Sequence, residues 1–339
     1  MFQRSLIAGV ALAAVVAMPA AAQQKITLKL SHFLPPVHGI HTDFIEPWAE
    51  DLNQCTDGQV EVQIYPGGTQ MGGVASQQEQ VMAGVVDIAH GLHGIPRGRF
   101  PRTSIIDIPF LVADAGVASR TLWKLYPEYL KPEYRGLKVL ALHAHNGGVI
   151  HSRDTKVTSM EDLEGLRIRT PSPAVSMMLE ELGAEPVGMP PGQVYESLQK
   201  GVIDGTVFPW DPVKSFRLDE VLDYHLAGGV YTVSFFFVMN QRKYDSLPTN
   251  VRGCIDSLSG DTLMVRFGDW WDKWDQAGLD AVKAQGNEIT ELSDAERARW
   301  REELQPMINR YLKSLKSQGV ENPQEIYEAA QKYVSEFSN

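Results

Sequence analysis

LRIRTPSPAVSMMLEELGAEPVGMPPGQVYESLQKGVIDGTVFPW, residues 166–210, decides the fold class. LRIRT reads as a strand that Pro171 ends, because proline brings no amide hydrogen to a ladder. SPAVSMMLEELG then spaces its apolar residues at helical intervals until Gly183 closes it. PVGM is a second strand, GQVYESLQKG a second helix, and DGTVFPW a third strand. Strand and helix alternating over short connections is the pattern of a mostly parallel sheet covered by helices.

The same order holds upstream. KITLKLSHF, from Lys25, alternates apolar and polar residues and predicts a strand ending near His32. A helix over residues 39–56 follows, then the strand QVEVQIYP, a helix over residues 73–84, and the short buried strand VVDIAHG. A helical stretch over residues 115–129 leads into LKVLALHAH. Two α/β units result, and Gly147 with Gly148 is the candidate hinge between them. Downstream, YTVSFFFVMN (231–240) is apolar enough to lie inside a sheet. Residues 249–285 contain no proline and predict one long helix of about 50 Å. Leu263, Phe267, Trp270, Trp271 and Trp274 form its packing stripe. Two more helices are expected, one opened by the capping box Ser293…Glu296 and one with Pro323 in its first turn.

Composition narrows the function classes. The chain is 43% hydrophobic and 22% charged, which supports a sizeable core and excludes wholesale disorder. Its 31 basic and 42 acidic residues give a net charge of −11 with no basic stretch. Nucleic acid and anionic membrane surfaces are therefore not expected partners. Residues 1–22 carry one charge, Arg4, then an apolar run over residues 6–18 and the small pair Ala20 and Ala22. They read as a signal peptide cleaved after Ala22, the run being shorter than the roughly 20 residues a bilayer needs. No direct membrane insertion is expected of the rest. Cys55 and Cys254 permit one disulfide in an oxidising compartment or stand as two free thiols.

Ligands in open parallel sheets sit beyond the carboxyl ends of the strands. The candidates there are His32, Phe33, His93 and Asn146 in the first unit, with Arg169, Phe208 and Trp210 in the second. Arg169 stands out, two residues before Pro171 at a strand end, where a guanidinium seeks a bidentate carboxylate. That carboxylate is either a ligand or a structural partner such as Glu185 or Asp204. Eight of the nine histidines fall between His32 and His151, which leaves a metal-binding receptor as the alternative function. A third reading makes His93 or His145 a catalytic base. The sequence contains no GxSxG, HExxH, GxxxxGK[ST] or post-strand GxGxxG motif, so neither an enzyme nor a cofactor is expected.

At these residues the chain resembles the solute-binding subunit of tripartite ATP-independent periplasmic (TRAP) transporters, of the DctP type. The resemblance rests on IYPGGTQMGG (64–73), GRFP…DIPFLV (98–112), DLEGLRIRTP (162–171), LGAEPVGMPPGQVYESLQKGVIDG (182–205) and VMNQRKYDSLPTNVR (238–252). It implies an α/β, two-lobed periplasmic binding protein with a hinge and a long helix spanning both lobes. The implied divisions are 23–147 for lobe I, 148–234 for lobe II, 235–275 returning to lobe I, and 276–339 packing mainly on lobe II. Cys55 and Cys254 then share a lobe, which favours their pairing. The resemblance also implies that Arg169 clamps a ligand carboxylate. Some members carry a further arginine about where Val149 stands and an asparagine near Phe208; both positions are apolar here. Walls from Phe208, Trp210 and Phe235 suit an apolar or aromatic monocarboxylate rather than a sugar acid. The implied function is capture of an organic acid in the periplasm and its delivery to the TRAP permease subunits.

Overall fold

The computed structural model describes residues 25–338, so the expected leader, residues 1–22, lies outside the described residues. Among them the strands form two sheets. The first has the order β2-β1-β3-β10-β4, from β1 (Ile26–His32), β2 (Val60–Tyr65), β3 (Ile88–Leu92), β4 (Leu137–Ala144) and β10 (Ser234–Asn240). The second has the order β11-β9-β5-β8-β6-β7, from β5 (Val149–Ser152), β6 (Arg167–Thr170), β7 (Glu185–Gly188), β8 (Gly205–Phe208), β9 (Tyr224–Ala227) and β11 (Glu288–Glu291).

Each sheet is mixed. β1 runs parallel to β2 and β3, whereas β10 is antiparallel to both β3 and β4. β6 runs parallel to β7 and β8, and β5 is antiparallel to β8 and β9. Every residue of β3 and β10 is buried, as a central strand covered on both faces requires. The return of β10 to the first sheet makes this lobe discontinuous in sequence.

Two extended segments cross side by side between the sheets. The Gly148 amide donates to the Tyr231 carbonyl at 2.8 Å and the His145 amide to the Val233 carbonyl at 3.3 Å. Both glycines of the expected hinge are needed here on steric grounds. A Cβ on Gly147 would lie 2.6 Å from the Gly229 Cα, and one on Gly148 would lie 2.0 Å from the Tyr231 ring.

The third connection is helical, and it differs from the single long helix the periodicity predicts. Residues 249–285 break into Thr249–Ser257, Asp261–Met264 and Phe267–Gln285. Gly260, at φ +60°, turns the chain and donates its amide to the Leu140 carbonyl at 2.7 Å. The last piece, of 19 residues, still touches both lobes. It packs on the helix Ala115–Leu125 of the first lobe and on Asp211–Ser215 of the second. Gly278 permits the second contact, since a Cβ there would meet the Trp210 carbonyl oxygen at 2.1 Å.

The C-terminal helices divide between the lobes instead of packing mainly on the second. Asp294–Ser317 lies on the helix Pro173–Glu181, while Pro323–Phe337 lies on Ala115–Leu125 of the first lobe. Ile326 and Ala330 on the last helix are fully buried there, so the apolar face of Ala115–Leu125 determines its seat. Cys55 and Cys254 form a disulfide, S–S 2.07 Å, closing a span of 199 residues.

Candidate functional site

Between the two sheets lies a mostly apolar cavity. Its walls come from the strand ends of both lobes and from the crossing helix. Phe33, Phe235 and Trp271 make an aromatic wall from the first lobe and that helix. Phe33 and Phe235 are near parallel, at 9° with centroids 6.5 Å apart, and Phe235 and Trp271 make 27° at 5.8 Å. The second lobe supplies Arg169, Phe208, Phe216 and four prolines.

Arg169 is fully buried near the end of β6. Its Nε donates to the Met189 carbonyl at 3.1 Å, and one Nη donates to the Val207 carbonyl at 3.2 Å. The guanidinium stacks on Phe208, with Cζ 4.2 Å from the ring centroid. The other Nη has no partner. Nor does a structural carboxylate compensate the charge: Asp204 is taken by Arg167, which donates to its two oxygens at 2.8 and 2.6 Å. Burial lowers the Arg169 pKa to about 9, so the group remains a cation at neutral pH. The cavity wall contains no Asp or Glu. An unpaired cation in an apolar enclosure attracts an anion.

The other polar groups on the wall are mostly satisfied. His145 has one ring nitrogen on the Asn146 carbonyl, while the other accepts the Val233 amide at 3.2 Å. Burial lowers its pKa to about 4, so it is neutral and offers the cavity only a ring face. His38 accepts the Ile40 amide at Nδ1 and donates from Nε2 to Asp211 at 2.8 Å, joining the lobes at one lip of the cleft. On another side of the cleft, Arg97 of the first lobe donates to Ser176 of the second at 3.2 Å.

Four of the eight residues singled out in the sequence, Arg169, Phe208, Phe235 and Phe33, come together on this cavity. The other four do not line it. His32 turns away to His41, 2.9 Å between ring nitrogens, and accepts the Leu34 amide. His93 is held by Tyr134 at 2.7 Å and Ser234 at 3.0 Å. Asn146 braces the hinge, donating to Asp272 and Asp275 of the crossing helix and accepting the Ala115 amide. Trp210 packs against His151 and His225, with centroids at 5.6 and 5.7 Å. Partners far away in the sequence hold His93, Asn146 and Trp210, whereas His32 is held by a near neighbour, His41. Sequence reasoning missed His38, Tyr231 and Trp271 as wall residues; of the hinge glycines only Gly148 makes the close approach to Tyr231.

The histidines do not converge on a metal. His90 pairs with His143 at 2.9 Å and His151 with His225 at 2.7 Å. Among the described residues no group of three or more potential ligands could hold an ion. Burial instead lowers the pKa of His32 and His93 to about 3 and of His145 and His225 to about 4, with His90, His143 and His151 also well below 6.5. The unfolded chain therefore binds more protons here than the native one below pH 6.5. Their contribution is fully present above that pH and is lost as pH falls toward 4, each group at up to about 1.4 kcal/mol per unit. Burial raises Asp107 to about 8 and both Glu133 and Asp275 to about 7, which acts oppositely as pH rises from 4 to 8. Seven histidines outweigh three acids below pH 6.5. Melting temperatures measured from pH 8 to 4 are expected to peak near neutrality and fall steeply below pH 6; a flat acid limb would refute this linkage.

Comparison with known proteins agrees with the geometry. The family described as bacterial extracellular solute-binding protein, family 7 (DctP), matches residues 30–314. The outer membrane transporter protein TsaT of Comamonas testosteroni is 28% identical over 323 residues, 91% of this chain and 92% of that protein. A TRAP solute-binding protein from a marine metagenome, specific for aromatic acids and crystallised with 3-hydroxybenzoate, is 32% identical with a TM-score of 0.90, covering 93% of this chain and all of that one. Another, from Rhodoferax ferrireducens with copurified benzoate, is 30% identical with a TM-score of 0.88, covering 93% and 99%.

Proposed function

The chain belongs to the bacterial extracellular solute-binding proteins of family 7, and from that premise we propose that it is a TRAP-transporter receptor for an aromatic or otherwise apolar monocarboxylate. The family consists of transport receptors, not enzymes. The observation that carries the ligand class is the fully buried guanidinium of Arg169, uncompensated by any carboxylate and with a donor unused. A carboxylate supplies the missing charge and acceptor together.

The rest of the enclosure argues for the ligand's body. Phe33, Phe235 and Trp271 present ring faces at small mutual angles, a surface that suits a planar ring. A second carboxylate or a row of hydroxyls would find no cation and few donors there, at a cost of several kcal/mol. Relatives at 30 and 32% identity bind benzoate and 3-hydroxybenzoate, in keeping with this reading. Closure about the paired segments at Gly147 and Gly148 excludes water, and the closed receptor then presents its ligand to the membrane permease subunits from the periplasm. No described helix is long and apolar enough to cross a membrane.

A thermal-shift panel tests the class, because a ligand stabilises the native state by mass action, by about 2.7 kcal/mol at a hundred times its Kd, and so raises the melting temperature. Benzoate, 3-hydroxybenzoate or mandelate is expected to stabilise the protein at sub-millimolar concentration, with succinate and glucuronate inert. Stabilisation by succinate or glucuronate alone would overturn the assignment.

A further inference from the structure

Among the described residues that line the cavity, two carry a buried polar side-chain atom without a partner: Arg169, at one Nη, and Tyr231, at its hydroxyl. A phenol enclosed without a hydrogen-bond partner is costly unless the functional complex provides one. The wall is otherwise apolar or already satisfied, so the partner has to come from the occupant.

The position of Tyr231 is tightly constrained. It is fully buried, its ring lies where a side chain on Gly148 would be, and His145 packs edge-on to it at 5.6 Å and 89°. Its carbonyl accepts the Gly148 amide, so the residue belongs to the hinge pair itself. Burial raises its pKa while the neighbouring Arg169 pulls it down, which places the two groups within electrostatic range of each other. The hydroxyl stays protonated and is available as a donor.

We infer that Tyr231 is the second anchor of the bound carboxylate, its hydroxyl donating to one oxygen while the free Nη of Arg169 donates to the other. The inference rests on the monocarboxylate reading and adds to it an uncharged donor on the hinge. One carboxylate then satisfies both orphaned groups from two directions, Arg169 from the second lobe and Tyr231 from the segment joining the lobes. The acid is thereby oriented with its ring toward the aromatic wall, and occupancy acts directly on the hinge.

The test is calorimetry with benzoate on the wild type, Tyr231→Phe and Arg169→Met, together with a crystal structure of the wild-type benzoate complex. Phenylalanine keeps the shape of the ring, so the ligand-free variant should melt within a degree or two of the wild type. A hydrogen bond to a charged group supports an expected affinity loss of about 10- to 100-fold in Tyr231→Phe. In the complex the Tyr231 hydroxyl should lie about 2.5–2.8 Å from a carboxylate oxygen. Affinity within twofold of wild type in Tyr231→Phe, alongside a large loss in Arg169→Met, would overturn the anchor and leave the clamp standing. So would a complex with the hydroxyl turned away from the carboxylate. Undiminished affinity in Arg169→Met, or no benzoate uptake by the wild type, would overturn the underlying reading as well.

Discussion

Calorimetry on Arg169→Met is expected to show benzoate binding weakened by two to four decades relative to wild type. The ligand's carboxylate would lose its countercharge inside an enclosure with no other cation on its wall, and stranding one member of a buried charge pair costs about 3–5 kcal/mol. The ligand-free variant gives the more discriminating measurement. In the unliganded protein this guanidinium is itself the stranded charge, with two carbonyl contacts and a ring face as its whole compensation. Methionine fills similar volume without charge, so the free variant should be as stable as wild type to within about 2 kcal/mol. An arginine serving a structural ion pair behaves oppositely, its removal lowering the melting temperature. A loss in affinity of less than threefold, or a free variant destabilised by more than about 3 kcal/mol, would refute the clamp.

Removing the Cys55–Cys254 bridge is expected to have the largest effect on stability. The bridge spans 199 residues, from the helix Glu46–Cys55 to the helix Thr249–Ser257, and so encloses all of the second lobe's sheet except β11. On the loop-entropy argument, a span of that length restrains the unfolded chain by about 5 kcal/mol. The double variant Cys55→Ala, Cys254→Ala should unfold at clearly lower denaturant with both lobes otherwise intact. Because the bridge lies within the first lobe, away from the cavity wall, benzoate affinity should be unchanged. Equal denaturation midpoints for the two proteins would show that the crosslink contributes nothing.

The second lobe was nearly readable from residues 166–210, because its strands β6, β7 and β8 are delimited by Pro171, Gly183 and the helices between them. β5, β9 and β11 left no such trace. Each lies outside that stretch of alternating elements and exists because a neighbouring strand supplies its ladder. The break at Gly260 was equally hidden, since the apolar stripe resumes in phase at Phe267 and periodicity alone cannot register a turn.

At the site, residue chemistry and strand position were enough to pick out Arg169. A cation at the end of a short strand, just before a proline, is costly to bury without a purpose. Its freedom from a structural partner was decided in three dimensions, where Arg167 takes Asp204. His32, His93, Asn146 and Trp210 stand at or near strand ends as well, yet each is drawn to another partner, for all but His32 one far away in the chain. Chain order thus settled the alternating elements of residues 166–210 and the place of Arg169 at a strand end. Whether a side chain faces the ligand or the core was settled only by packing, because a hydrogen-bond partner costs or stabilises according to distance in space, and that distance is set by the whole fold.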